Sequence, residues 1–82
     1  MAIMQRVRFT FLDRLIKEPV IHRMGHDFSV VTNIRRADIQ EGVGWVILDV
    51  EGELDEFERS LDWVRTLGVR VDQALGELGA TY

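Results

Sequence analysis

The chain contains no cysteine and only one proline. Without cysteine, neither a disulfide nor an iron–sulfur cluster can supplement the core. Small domains without such supports commonly gain stability by oligomerisation, so the sequence favours a homodimer. With 82 residues the chain has room for one domain, which we predict to span 1–82, with a core at 6–75 and a loose tail at 76–82.

Long apolar runs are absent as well. No stretch approaches the roughly 18 residues that a membrane span needs. The N-terminal segment MAIMQRVRF lacks the basic segment and apolar core of a secretory signal. We therefore expect a cytoplasmic protein without membrane insertion.

Basic side chains are outnumbered, with 10 Lys and Arg against 14 Asp and Glu, which gives a net charge of −4. An acidic chain is a poor electrostatic match for a phosphate backbone, so the sequence argues against a nucleic-acid partner. Residues 1–36 are mostly basic in charge and residues 37–82 mostly acidic. This asymmetry favours attraction between the two halves, within the fold or between protomers.

Hydrophobic periodicity predicts the first three elements. Apolar residues alternate with polar ones over 6–11, which is typical of a half-buried strand. Pro19 suits the first position of a helix, and the helix carries an apolar stripe of Val20, Ile21, Met24 and Phe28. Residues 29–36 predict a second strand, and 37–43 a polar connection.

The second half repeats the pattern as strand, helix, strand. The nearly continuous apolar run at 45–50 predicts a third strand covered on both faces. A second amphipathic helix follows with the stripe Leu54, Phe57, Leu61 and Val64. Gly68 is placed to end this helix before a strand that begins at Val69. The order predicts an α+β, ferredoxin-like βαββαβ fold, with a four-stranded antiparallel sheet and two helices on one face.

The segment from Pro19 to Asp72, PVIHRMGHDFSVVTNIRRADIQEGVGWVILDVEGELDEFERSLDWVRTLGVRVD, resembles the NIL domain. This ferredoxin-like module is named for an Asn-Ile-Leu signature and occurs at the C-terminus of bacterial methionine-importer ATPases. The matching positions are Pro19, Phe28, Val30, Asn33, Ile34, Gly44, Gly52, Trp63, Gly68 and Val69. Arg35 stands at the leucine position of the signature, which is a departure from the family.

The resemblance implies a bacterial regulatory domain that dimerises and binds methionine, and whose occupancy restrains transport. The chain has no G-x-x-x-x-G-K-[ST] loop and hence no nucleotide-hydrolysing machinery of its own. It also lacks the cysteine-rich ferredoxin module of some relatives. We therefore predict a free-standing NIL domain that is not an enzyme and needs no cofactor.

The sheet face away from the helices is the predicted contact surface. Val31, Trp45 and Ile47 are expected there as an apolar cluster rimmed by charge, which is typical of an interface or a ligand groove. The alternative is a few scattered exposed apolar side chains, which are common on protein surfaces.

Asn33 and its neighbours are the predicted ligand site. An amide both donates and accepts, which suits an amino acid, although Asn on a strand edge also commonly bonds nearby backbone. Arg35 or Arg36, together with Asp38, would supply a charge of each sign for a zwitterion. By resemblance the predicted site comprises Asn33, Ile34, Arg35 and Asp38.

Other site types are less well supported. His22 and His26 lie one helical turn apart, but zinc needs a third protein ligand and none is suitably spaced, so we predict no metal. RNA-recognition modules share the topology, but they stack bases on aromatics of the first and third strands. Trp45 could serve on the third strand, whereas the first has only Arg6, Arg8 and Thr10. Acylphosphatases need a Gly-rich loop after the first strand, and residues 13–17 contain no glycine.

Two functions therefore remain. The first is a regulatory domain that senses a small amino acid such as methionine and dimerises through its sheet. The alternative is a ligand-free interaction module that docks on a transporter or a metabolic enzyme.

Overall fold

A computed structural model describes residues 1–12, 20–40 and 43–74 of the chain. The elements follow the order strand, helix, strand, strand, helix, strand. They are β1 (Ala2–Leu12), α1 (Val20–Asp27), β2 (Val30–Gln40), β3 (Val43–Glu53), α2 (Leu54–Thr66) and β4 (Arg70–Gln73). The predicted helix start at Pro19 and the predicted tail at 76–82 lie outside the described residues.

The four strands form one antiparallel sheet in the order β2-β3-β1-β4. The two long strands β1 and β3 lie at the centre, and β1 pairs with β3 from Ala2↔Glu53 to Leu12↔Val43. β2 forms one edge and the short β4 the other. This confirms the predicted ferredoxin-like α+β fold.

The core lies between the sheet and the two helices. β1 contributes Phe9 at its centre, β3 contributes Leu48, and both side chains are fully buried. The helices complete the core with residues from the predicted stripes, which are Val20, Met24, Phe57, Leu61 and Val64. Burial of each large apolar side chain contributes roughly 1.5–3 kcal/mol before the entropy of ordering is subtracted.

Two glycines shape the chain around α2. Gly68 has φ 89°, a conformation that side chains of L-residues rarely adopt, and it follows the last turn of the helix as predicted. Gly52 pairs with Val30, and a Cβ placed on it would lie 2.9 Å from the Ser29 carbonyl oxygen. Gly52 is thus needed for the close approach of β2 to β3.

Strand bounds differ from the sequence prediction at several ends: β1 begins at Ala2 rather than Arg6, and β3 ends at Glu53 rather than Val50. The polar segment 37–43 was predicted to be a connection, but β2 continues to Gln40 and β3 begins at Val43. The ladder between the two strands extends to the pair Gln40↔Val43, because hydrogen bonding to β3 overrides the weak strand preference of these polar residues. The predicted connection was wrong at 37–40 and 43, and 41–42 lie outside the described residues.

Neither described helix is long and apolar enough to cross a membrane.

Candidate functional site on the open sheet face

The sheet face opposite the helices, hereafter the open face, carries its side chains in rows across the strands. The register places Val31, Glu51 and Met4 in one row, and Asn33, Asp49 and Arg6 in the next. A third row contains Arg36, Ile47, Arg8 and Asp72, and a fourth Asp38, Trp45, Thr10 and Arg70. The face is therefore apolar at one corner, charged across the middle, and mixed at the far end.

The charged row is held by a two-bond ion pair. Arg6 donates from Nε to Asp49 Oδ1 at 2.6 Å and from Nη2 to Asp49 Oδ2 at 3.0 Å. Both side chains are largely buried, with 18% and 13% of their surfaces exposed. The Nε of Arg35 also lies 3.9 Å from Asp49 Oδ2. This geometry orders the centre of the open face.

The two arginines lower the pKa of Asp49. The hydrogen bond from Arg6 is the main cause of a lowered pKa for this carboxyl, and the charges of Arg6 and Arg35 act in the same direction. Partial burial opposes the shift but does not outweigh it. Asp49 is therefore ionised at neutral pH and committed to Arg6.

Asn33 lies beside this ion pair and is exposed on the open face. Asp38 lies further along β2, opposite Trp45, and is half-buried. The structure thus places two of the predicted ligand residues, Asn33 and Asp38, on one face of one strand.

A bulge in β2 lies at the other two predicted residues. Ile34 opposes Leu48 and Arg36 opposes Ile47, so Arg35 is the extra residue of the bulge. Ile34 lies on the helix side of the sheet and is 54% exposed. Arg36 lies on the open face opposite Ile47, while Nε of Arg35 lies 3.9 Å from Asp49 Oδ2 on the same face.

The predicted interface residues have unequal exposure. Val31 is 68% exposed, Trp45 is half-buried, and Ile47 is only 3% exposed because it packs with Ala74 and Trp45. The burial of Ile47 agrees with the prediction that β3 is covered on both faces. Met4, which the sequence prediction left out because it began the strand at Arg6, adds an exposed apolar side chain to the open face.

The histidine pair on α1 lies outside this face. The rings of His22 and His26 are 6.2 Å apart between centroids, and His26 Nδ1 lies 3.0 Å from Asp27 Oδ1. Across residues 1–12, 20–40 and 43–74, no group of three His, Cys, Asp or Glu side chains is arranged to hold a metal.

Comparison with known proteins gives two positive findings. The family model of the NIL domain matches residues 5–73. The C-terminal domain of an ABC transporter ATP-binding protein from Enterococcus faecalis has a similar structure, with a TM-score of 0.74 and 23% sequence identity. The similarity covers 84% of this chain and 81% of that chain.

None of the curated protein sequences matches the chain. The structural similarity supports the fold, whereas the family match spans both helices, all of β2, β3 and β4, and the open-face residues from Arg6 to Asp72. This chain belongs to the NIL domain family.

Proposed function

We propose that this chain is a regulatory domain that binds a small amino acid, methionine or a close analogue, on the open face near Asn33. The observation that carries the proposal is the placement of Asn33 and Asp38 on one face of β2, within a family match that covers 5–73. The role is regulatory rather than catalytic, in keeping with the family.

The side chains along β2 have the chemistry that a zwitterion needs. Arg36 offers a planar pair of donors to a carboxylate, Asp38 accepts from an ammonium, and the amide of Asn33 can bond either group. Residues two apart on a strand are separated by about 6.6 Å, close enough for Arg36 and Asp38 to serve one small molecule.

An apolar side chain of the ligand would lie against Trp45. The indole is half-buried and stands opposite Asp38 in the neighbouring strand. A thioether makes favourable contacts with an aromatic ring, worth roughly 0.3–1.5 kcal/mol. This favours methionine over an amino acid of similar size without sulfur.

Thermal denaturation against a panel of amino acids tests the ligand. A ligand present at about one hundred times its dissociation constant stabilises a protein by about 2.7 kcal/mol, which raises the melting temperature measurably in so small a domain. We expect methionine to give the largest increase. Asn33→Ala should remove that increase, while Thr32→Ala, on the opposite face of the same strand, should retain it. A flat panel contradicts ligand binding.

We further propose that two copies associate through the sheet, with Val31, Trp45 and Ile47 in or beneath the contact. Val31 and Met4 flank Glu51 in one row and are both exposed, so this corner offers the apolar area. Ile47 lies two rows further along, where it packs with Ala74 and Trp45. Dimerisation would also supplement a core that is small in a chain of this length.

Sedimentation velocity tests the dimer. Val31→Asp should weaken self-association at least about tenfold, since it places a charge where an apolar side chain would be buried. Leu54→Asp is the control, because Leu54 is also exposed but lies at the start of α2. A monomer in the unmodified chain, or an equal effect of the two changes, contradicts association through this corner.

A docking module without a ligand is the second candidate, and one observation favours it. β2 is a sheet edge with exposed Val31 on one face and exposed Ile34 on the other. Such an edge can accept an extended segment of another protein. The Enterococcus faecalis domain belongs to a transporter ATP-binding protein, so a transporter subunit is the partner we propose for this case.

A further inference from the structure

A cleft lies on the helix side of the sheet, away from the open face. It has a volume of about 320 Å³ and opens between α2, β1 and β4, and this volume is at the lower end of the range of small-molecule sites. Its floor consists of apolar side chains from the core, which are Val7, Phe57, Leu61 and Val71.

The cleft exists because β4 is short. β4 pairs with β1 only from Val7↔Gln73 to Thr10↔Arg70. Gln5, which precedes the paired stretch, therefore lines the cleft from β1, and Gln73 lines it from the end of β4. Two side-chain amides thus reach the same opening from adjacent strands.

The acidic rim of the cleft is only partly neutralised. Arg65 donates to Asp62 at 3.0 Å, so this carboxylate has a cationic partner. Asp72 also borders the cleft, but the register places its side chain, which accepts from Arg70, on the open face. Glu58 makes no hydrogen bond or ion pair with any residue that the structure describes. One negative charge therefore remains beside two amide carbonyl groups.

We propose that this cleft binds a small organic cation, a primary ammonium with a short apolar chain. An ammonium has three donors, and the Glu58 carboxylate and the carbonyl oxygens of Gln5 and Gln73 are three acceptors around one opening. The alkyl part then covers the apolar floor. A carboxylate ligand is disfavoured, because Arg65 is already bonded to Asp62.

The cleft shares no element of β2 with the proposed amino-acid site. That site lies along β2 on the open face, whereas α2, β1 and β4 form the cleft. The two sites lie on opposite sides of the sheet, so each can be tested while the other is unoccupied.

Amide NMR titration with n-butylammonium chloride tests the proposal. We expect fast-exchange shifts at Val7, Glu58, Val71 and Gln73, and much smaller shifts there with n-butanol or sodium butyrate at equal concentration. Glu58→Gln should weaken binding of n-butylammonium about three- to fivefold, since an exposed ion pair contributes up to about 1 kcal/mol. Raising the salt concentration should weaken it as well.

Glu51→Gln is the matched control, because Glu51 is also an exposed glutamate but lies on the open face. It should leave the affinity for n-butylammonium unchanged. Equal shifts with the three probes, an unchanged affinity in Glu58→Gln, or no shifts at the cleft would overturn the proposal. None of these results would bear on methionine binding near Asn33.

Discussion

Arg6 and Asp49 face each other across β1 and β3 and are joined by two hydrogen bonds of 2.6 and 3.0 Å on the open face. Asp49 is also the register partner of Asn33, so the pair orders the surface on which the proposed ligand would lie. Its contribution to folding is open to direct measurement.

Removing the cation of this pair should destabilise the fold. Arg6→Ala leaves the Asp49 carboxylate largely buried with its main partner gone, which costs about 1–3 kcal/mol. Urea denaturation measures the change in the free energy of unfolding. Arg65→Ala removes an exposed ion pair with Asp62 and should cost under about 1 kcal/mol. Equal losses in the two variants would contradict the special role of the Arg6–Asp49 pair.

The same pair predicts a pH dependence. The pKa of Asp49 is lower in the folded protein than in the unfolded chain, so its stabilising contribution is present above about pH 4 and is lost as pH falls through the folded pKa. Asp49→Asn should therefore reduce the slope of unfolding free energy against pH in the acid range. An acid-range slope that is unchanged in Asp49→Asn would contradict this role of the Arg6–Asp49 pair.

Sequence patterns were sufficient for the order of the elements along the chain and for the core. The alternation at Val7 and Phe9 and the helical stripe at Phe57 and Leu61 each correspond to one buried face. The bulge at Arg35 was not predictable in this way. A bulge arises from pairing with β3, and no local pattern of β2 marks it. As a consequence, Arg36 opposite Ile47 joins Arg35 on the open face.

For the predicted interface, the sequence pattern indicated the face of each residue but not its exposure. The apolar run in β3 indicated that both of its faces are covered, and Ile47 is indeed buried. Period-two alternation places a side chain on a face, but it does not say how much of that side chain its neighbours cover. The exposure of Met4 was missed because the alternation is clear only from Arg6 onward.

The two glycines near β2 should respond in opposite directions to alanine. Gly52→Ala brings a Cβ to 2.9 Å from both the Ser29 carbonyl oxygen and Val30 Cγ1, so we expect a loss of about 1–3 kcal/mol. Gly25→Ala meets nothing closer than the Val30 carbonyl oxygen at 3.9 Å. This exposed helix position should gain about 0.4–1 kcal/mol. Melting temperatures of the two variants check both signs, and a stabilising Gly52→Ala would contradict the close approach.

A stack of aromatic and cationic groups should hold α1 against α2. The Arg23 guanidinium lies 5.1 Å from the centre of the Trp63 ring. The Phe28 ring lies on α1's side at 5.7 Å from the Trp63 ring between centroids, and the two rings are tilted by 49°. A double-mutant cycle with Arg23→Gln and Trp63→Leu should give a coupling of about 0.5–1 kcal/mol. The cycle with Arg65→Gln in place of Arg23→Gln should give a value near zero, and equal couplings would contradict the stack.

The central claim is that the open face near Asn33 binds a small amino acid. The most direct test is amide NMR of the labelled protein titrated with L-methionine. We predict saturable shifts of the amide signals of residues 33–38 and 45–49. These shifts should be absent in Asn33→Ala and retained in Thr32→Ala. No saturable shifts, or shifts confined to the helices, would contradict it.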